Sequence, residues 1–190
     1  GKLNGHVRLP NEIAPEAPEG DLARRRALLA ASIMLTSPGV PMLLQGQELL
    51  QSGSFHDDEP VDWSRVDSQA DTLSAYRTLI ALRRNLAGHS AGLLGEQTRF
   101  LHVNQAGGVL GYVRGQGEGE VLVLLNLGAK SFASYRIGAP RAGAWTVRFD
   151  GRSAGNLTGQ TFATEPRAYD GQAQSLELSL PPESALVLSR

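Results

Sequence analysis

The hydrophobic pattern of this chain changes period near residue 92, and that change limits the folds open to it. Before it, apolar residues recur at helical spacing. After it, they fall in short runs separated by glycines and prolines. The fold class expected is therefore α/β followed by all-β, with one unit over residues 1–92 and a second over 93–190.

In the first unit the spacing predicts a helix over Leu22 to Leu35, with Asp21 as its N-cap and Pro38 ending it. Arg24, Arg25 and Arg26 sit in its first turns, where a helix dipole favours anions. Neighbouring carboxylates are therefore expected to hold them. A second helix is predicted from Ser68, with Asp71 three residues on and an apolar stripe of Leu73, Tyr76, Leu79, Ile80, Leu82 and Leu86. Arg77, Arg83, Arg84 and Asn85 fall on its remaining surface.

Between the helices, Ser37-Pro38-Gly39 turns into the apolar run Val40 to Leu44, which stops at Gly46. A carboxylate-rich loop follows, Phe55-His56-Asp57-Asp58-Glu59-Pro60-Val61-Asp62-Trp63. This reads as a strand buried on both faces that delivers polar groups from its C-terminal end.

In the second unit strands are expected near Arg99–Asn104, Val109–Arg114, Val121–Leu127, Ser131–Ile137, Trp145–Phe149, Ser175–Leu180 and Ala185–Ser189. Their number and spacing predict an antiparallel sandwich or barrel. Gly115 to Gly119 lacks the strand–glycine loop–helix context of a nucleotide site and reads as a hairpin loop. Gly151 to Gly171 reads as a long surface excursion.

Composition narrows the function classes. With 18 basic and 19 acidic residues the formal net charge is −1, so no field draws in nucleic acid or an anionic membrane. Cysteine is absent, which excludes disulfides, thiolate metal sites and a cysteine nucleophile. A cytoplasmic location fits, and an extracellular one is also compatible. His6, His56, His89 and His102 have no metal-ligand spacing, and neither a metal nor a cofactor is assigned. Asn156-Leu157-Thr158 has the pattern of a glycosylation acceptor, a pattern that often arises by chance.

The run Pro41-Met42-Leu43-Leu44-Gln45-Gly46-Gln47-Glu48, with Asp57 to Trp63, resembles the last barrel strand of the α-amylase superfamily, glycoside hydrolase family 13. It is most similar to the branching-enzyme and maltooligosyltrehalose-trehalohydrolase side. Val109-Leu110-Gly111-Tyr112, Val121 to Asn126 and Leu180 to Leu188 resemble strands of the family's C-domain. The resemblance implies the terminal portion of a (β/α)₈ TIM barrel followed by an antiparallel β-sandwich. It also implies that the motif His-Asp pair, the nucleophilic Asp and the acid/base Glu lie before Gly1. His6 is not the motif histidine, because no Asp follows it.

No catalytic residue is therefore assigned. Retaining glycoside chemistry needs two carboxyl groups about 5–5.5 Å apart, held by different strand ends of one scaffold. The resemblance implies retaining cleavage or transfer at α-1,4 or α-1,6 bonds in a parent enzyme, with this chain incomplete alone. The substrate-rim candidates are Gln47, Glu48, Phe55, His56, Asp57 and Asp58. For Gln47 and Glu48, contact with substrate stands beside structural bonding of loop to strand ends. For Asp57 to Glu59, a solvated or bonded loop stands beside a sugar-contacting rim. Phe55 either stacks with His56 on an acceptor sugar or packs beneath the loop. Asp62 and Trp63 are expected as a structural anchor, the Asp capping backbone amides and the indole buried between loop and helix.

The partners implied are an α-glucan or maltooligosaccharide and the missing N-terminal barrel portion. Two other readings stand: a glucan-binding module with Trp145 and Tyr135 exposed side by side, and an assembly fragment that pairs with its missing half or with itself.

Overall fold

The computed structural model describes residues 4–152 and 157–190, so Asn156 of the acceptor pattern lies outside the described residues. Three helices come first: α1 (Leu9–Ile13), α2 (Asp21–Thr36) and α3 (Ala70–Arg83). Eight strands follow: β1 (Thr98–Asn104), β2 (Val109–Arg114), β3 (Val121–Asn126), β4 (Phe132–Ala139), β5 (Ala144–Asp150), β6 (Thr161–Ala163), β7 (Gln174–Leu180) and β8 (Ser184–Ser189). An α-bearing segment thus precedes an antiparallel all-β domain. The strand expectations hold to within two residues, except that β6 lies inside the stretch read as a surface excursion.

The strands form a six-stranded sheet in the order β1-β2-β3-β8-β5-β6 and a two-stranded sheet of β4 and β7. Every pairing is antiparallel. The glycine loop at 115–119 joins the paired strands β2 and β3, as a hairpin connection should.

Three layers result. On one face of the large sheet, Val121, Val123, Leu125, Ala185 and Val187 pack with Leu28, Leu35, Tyr76 and Leu79 of the helices. On the other, Leu122, Leu124, Leu186 and Leu188 pack with Ile137, Leu176 and Leu178 of the small sheet. The central strands β3 and β8 are therefore buried on both faces, which explains their unbroken apolar runs. Each such side chain contributes about 1.5–3 kcal/mol by leaving water.

Helix α2 shows how local chemistry sets the frame. Gly20, not Asp21, is the residue before its first turn, and Asp21 is the first helical residue. From there it pairs with Arg24 at 2.7 Å and with Arg25. Arg25 and Arg26 also reach Glu183, so carboxylates do hold the three arginines at this end. At the other end no basic residue lies in the last turn. Arg83 instead donates from α3 to the Ser37 and Gly39 carbonyls, and Arg114 from β2 donates to the Thr36 carbonyl. Two cations from other elements thus supply the positive charge that a helix C-terminus favours. Arg83 is accordingly not a free surface residue.

Val40 to Leu44 does not form the buried strand expected of it. It lies in no sheet, with Val40 96% and Met42 82% exposed; Leu43 packs against the core between helices and sheet. A strand is stabilised by ladder partners and by burial of both faces. Among the described residues none pairs with this run as a neighbouring strand.

Candidate substrate-facing loop

The polar loop after the apolar run is built from its turn upward. Gly46 has φ +81°, and a Cβ there would sit 2.1 Å from Oε1 of Gln51, so both backbone sign and space require glycine. The tight turn Gln47–Leu49 follows and ends at Leu50, which also holds a left-handed backbone. Arg65 secures it: Nε donates to the Leu49 carbonyl at 3.1 Å, Nη2 to that of Leu50 at 3.0 Å, and Nη1 to Glu19 at 2.8 Å.

Residues 51–59 are stitched to the chain's first described residues. Gly5 N–H donates to the Phe55 carbonyl at 2.6 Å, Phe55 N–H to that of His6 at 2.8 Å, and Arg8 N–H to that of Gly53 at 2.8 Å. Asn11 accepts from Gly53 N–H at 2.6 Å, and Asn4 from Asp57 N–H at 3.2 Å. These bonds fix the loop's path while leaving carboxylates at its tip in solvent.

The predicted residues fall in two groups. Gln47 and Glu48 are half-buried and turn toward α3. Oε1 of Gln47 accepts from Leu44 N–H at 3.3 Å, and both residues bear on the Tyr76 phenol. Burial pushes that phenol well above its ordinary range; Gln47 opposes the shift, and the Glu48 charge adds to it. Phe55 and His56 are half-buried against residues 5–8, while Asp57 and Asp58 are exposed. Phe55 lies under the Arg8 guanidinium, 5.3 Å from ring centroid to carbon.

The anchor divides. Asp62 accepts from Ser64 N–H at 3.1 Å and from its hydroxyl at 2.5 Å, capping the turn Trp63–Arg65. The bond from the Ser64 hydroxyl, above all, holds its carboxyl below the usual range. Trp63, by contrast, is 67% exposed, which corrects the expectation of a buried indole. Arg65, two residues on, occupies the role expected of it by bonding the loop carbonyls from below.

The β domain presents no sugar platform of Trp145 and Tyr135. Both are buried, Trp145 with its Nε1 donating to Arg141 at 3.2 Å. Their strands lie within the sandwich, where alternate residues point into the core. Tyr135 instead joins a buried relay: its hydroxyl lies 2.7 Å from Nε2 of His102, whose Nδ1 is 2.9 Å from Asp170. Among the described residues no group of three or more His, Asp or Glu gathers as a metal ion would require. Nor is any helix among them long and apolar enough to cross a membrane.

Sequence reasoning missed Arg8, Arg114 and Glu183, the buried charges that tie the loop and the layers together. Of the three, Glu183 lies in a run the sequence singled out, Leu180 to Leu188, but its pairing with Arg25 and Arg26 spans more than 150 positions and is set by tertiary structure.

Residues 101–190 match the C-terminal all-beta domain of alpha amylase. The chain is related to the α-amylase superfamily. Among individual relatives, the 1,4-alpha-glucan branching enzyme GlgB of Leifsonia xyli subsp. xyli is 33% identical over 187 residues, 88% of this chain and 24% of the enzyme. GlgB 2 of Xanthomonas campestris pv. campestris is 32% identical over 184 residues, 89% of this chain and 25% of the enzyme. A crystal structure of the debranching enzyme from Nostoc punctiforme superposes with TM-score 0.65 at 19% identity, covering 97% of this chain and 33% of that one. That likeness is one of fold. The chain thus spans about a quarter of the length of the curated relatives it matches.

Proposed function

We propose that this chain works as the C-terminal region of an α-glucan-active enzyme that cleaves or transfers at α-1,4 or α-1,6 bonds with retention. It would be catalytically incomplete alone. The observation that carries this reading is the 33% identity with a branching enzyme, spread over 88% of the chain but only 24% of the enzyme. The exposure of Val40 and Met42 supports it, because in a closed barrel their run would have strands on both sides.

In this reading residues 1–92 complete the barrel and residues 93–190 buttress it from outside. Gln47, Glu48 and the loop from Phe55 to Asp58 line the acceptor side of the cleft. Asp57 and Asp58 are its exposed hydrogen-bonding groups, and His56 stands between them and Phe55. The compartment proposed is the cytoplasm. The test is incubation of the isolated chain with maltooligosaccharides and glycogen. No released reducing ends and no new branch points are expected; turnover would overturn the reading.

A second reading is favoured by the same exposed residues, Val40 and Met42: an assembly piece that pairs with another copy of itself. Concentration-dependent gel filtration separates the two. A dimer that hides Val40 supports the second, and a monomer at all concentrations removes it.

A further inference from the structure

A cavity of about 370 Å³ opens where the end of α3 and the loop after it face β5. Its apolar walls are Ala81, Leu82, Leu86 and Ala87, and its two basic groups are His89 and Arg148. Among the described residues no carboxylate lines it. Apolar walls with a few polar groups to one side are the usual make-up of a small-molecule site.

Arg148 is fixed from behind. Its Nε donates to the Ser189 hydroxyl at 2.9 Å and its Nη2 to the Arg190 carbonyl at 3.3 Å. Nη1 makes no bond among the described residues and is not sealed from solvent. Burial disfavours the guanidinium charge, and no acidic group among the described residues offsets it. Nor does Arg148 cap α3, whose last carbonyls are already taken. Ile80 accepts from Arg84 N–H and Ala81 from Leu86 N–H, both at 3.0 Å. Leu82 accepts from Asn85 N–H at 2.9 Å and from the Ser90 hydroxyl at 2.8 Å.

The charge balance selects the ligand. An arginine stays protonated at any ordinary pH. Burial, then the Arg148 charge, holds His89 below its ordinary range, against the bond its ring makes to the Ala87 backbone. At neutral pH the cavity therefore carries one positive charge, which matches a monoanion better than a phosphate dianion. The donors left over, on Nη1 and the second N–H of Nη2, form a two-pronged end that fits the two oxygens of a carboxylate. The leucine walls supply what a bare ion does not need, a surface for an apolar body.

We propose that this cavity binds a small organic monocarboxylate, its head on the Nη1–Nη2 end of Arg148 and its aliphatic body against Leu82 and Leu86. No residue of the Phe55 loop lines the cavity, so the inference goes beyond the proposed function and does not rest on it.

The test titrates hexanoate into the isotope-labelled 190-residue chain and follows it by NMR. The Leu82 and Leu86 methyl signals and the Arg148 Nε–H signal should shift together and saturably. Hexanol has the body without the charge, and acetate the charge without the body; each should bind about tenfold more weakly. Arg148→Met should bind hexanoate no better than hexanol. Leu86→Ser should weaken hexanoate and leave acetate unchanged. Leu86 is 63% exposed, so its replacement leaves the core intact, whatever the lost Ser189 bond costs Arg148→Met. No saturable shift with hexanoate overturns the proposal. Equal binding of acetate and hexanoate also overturns it, since the seat would then suit a bare carboxylate such as a polypeptide side chain. Equal binding of hexanol and hexanoate overturns it as well, leaving an apolar crevice in which Arg148 has no part.

Discussion

The Glu183 carboxylate accepts a 2.7 Å hydrogen bond from Nε of Arg26, joining the turn before β8 to the first turns of α2. Arg25 reaches the other oxygen at 3.0 and 3.2 Å. Glu183 is 6% exposed and has φ +48°, an unfavourable backbone for a residue with a side chain. One carboxylate thus couples the helical layer to the sandwich and offsets local strain at the same position.

Glu183→Gln should therefore lower stability by about 1–2 kcal/mol, below the figure for a fully buried pair because the arginines are partly in water. Glu183→Gly, which relieves the backbone but removes both bonds, should lose less than Glu183→Ala, which only removes the bonds. Urea unfolding of the three variants checks the order.

The same group makes stability depend on pH. Burial alone would raise its carboxyl, but the bonds from Arg26 and Arg25 outweigh burial and hold it below the ordinary 4.5. A folded value below the unfolded one means this contribution is complete above about pH 4.5 and is lost as pH falls through the lower folded value. Below pH 4.5, Glu183→Gln should lose stability less steeply than wild type. Parallel acid-unfolding curves for the two would contradict that.

Gly92 lies where the helical segment meets the β2–β3 loop. A Cβ there would stand 2.3 Å from the Arg114 carbonyl and 2.7 Å from that of Gly119, both backbone and both unable to yield cheaply. Gly92→Ala should cost about 1–3 kcal/mol through overpacking, measured as a fall in Tm.

The two tryptophans should behave oppositely. Trp63→Ala, at an exposed site, should change stability by no more than about 0.5 kcal/mol. Trp145→Ala, in the sandwich core, should cost about 3–5 kcal/mol. Equal losses would show that the indole of Trp63 packs as a buried anchor after all.

Periodicity made most of this fold legible. The α2 helix, the hairpin at Gly115 to Gly119 and the runs of β3 and β8 all follow from local pattern, because each residue's face is set by its neighbours in sequence. Strand β6 escaped because three residues pairing with β5 carry no periodic signal. Val40 to Leu44 misled for a different reason. Its apolar pattern specifies partners, and a pattern is unchanged whether or not those partners are present. The loop residues were legible as types but not as neighbours: Arg8 bonds Gln45 across 37 positions, a relation set by tertiary structure alone. Trp63 and Arg65 show the same limit, since which one faces the core depends on the capping geometry at Asp62.

The most direct measurement is the size of the native protein in its source cells, read with an antibody raised against the β domain. The account predicts a band much larger than the 20.3 kDa of this chain, as the region of a glucan enzyme would give. A band at 20.3 kDa would contradict it.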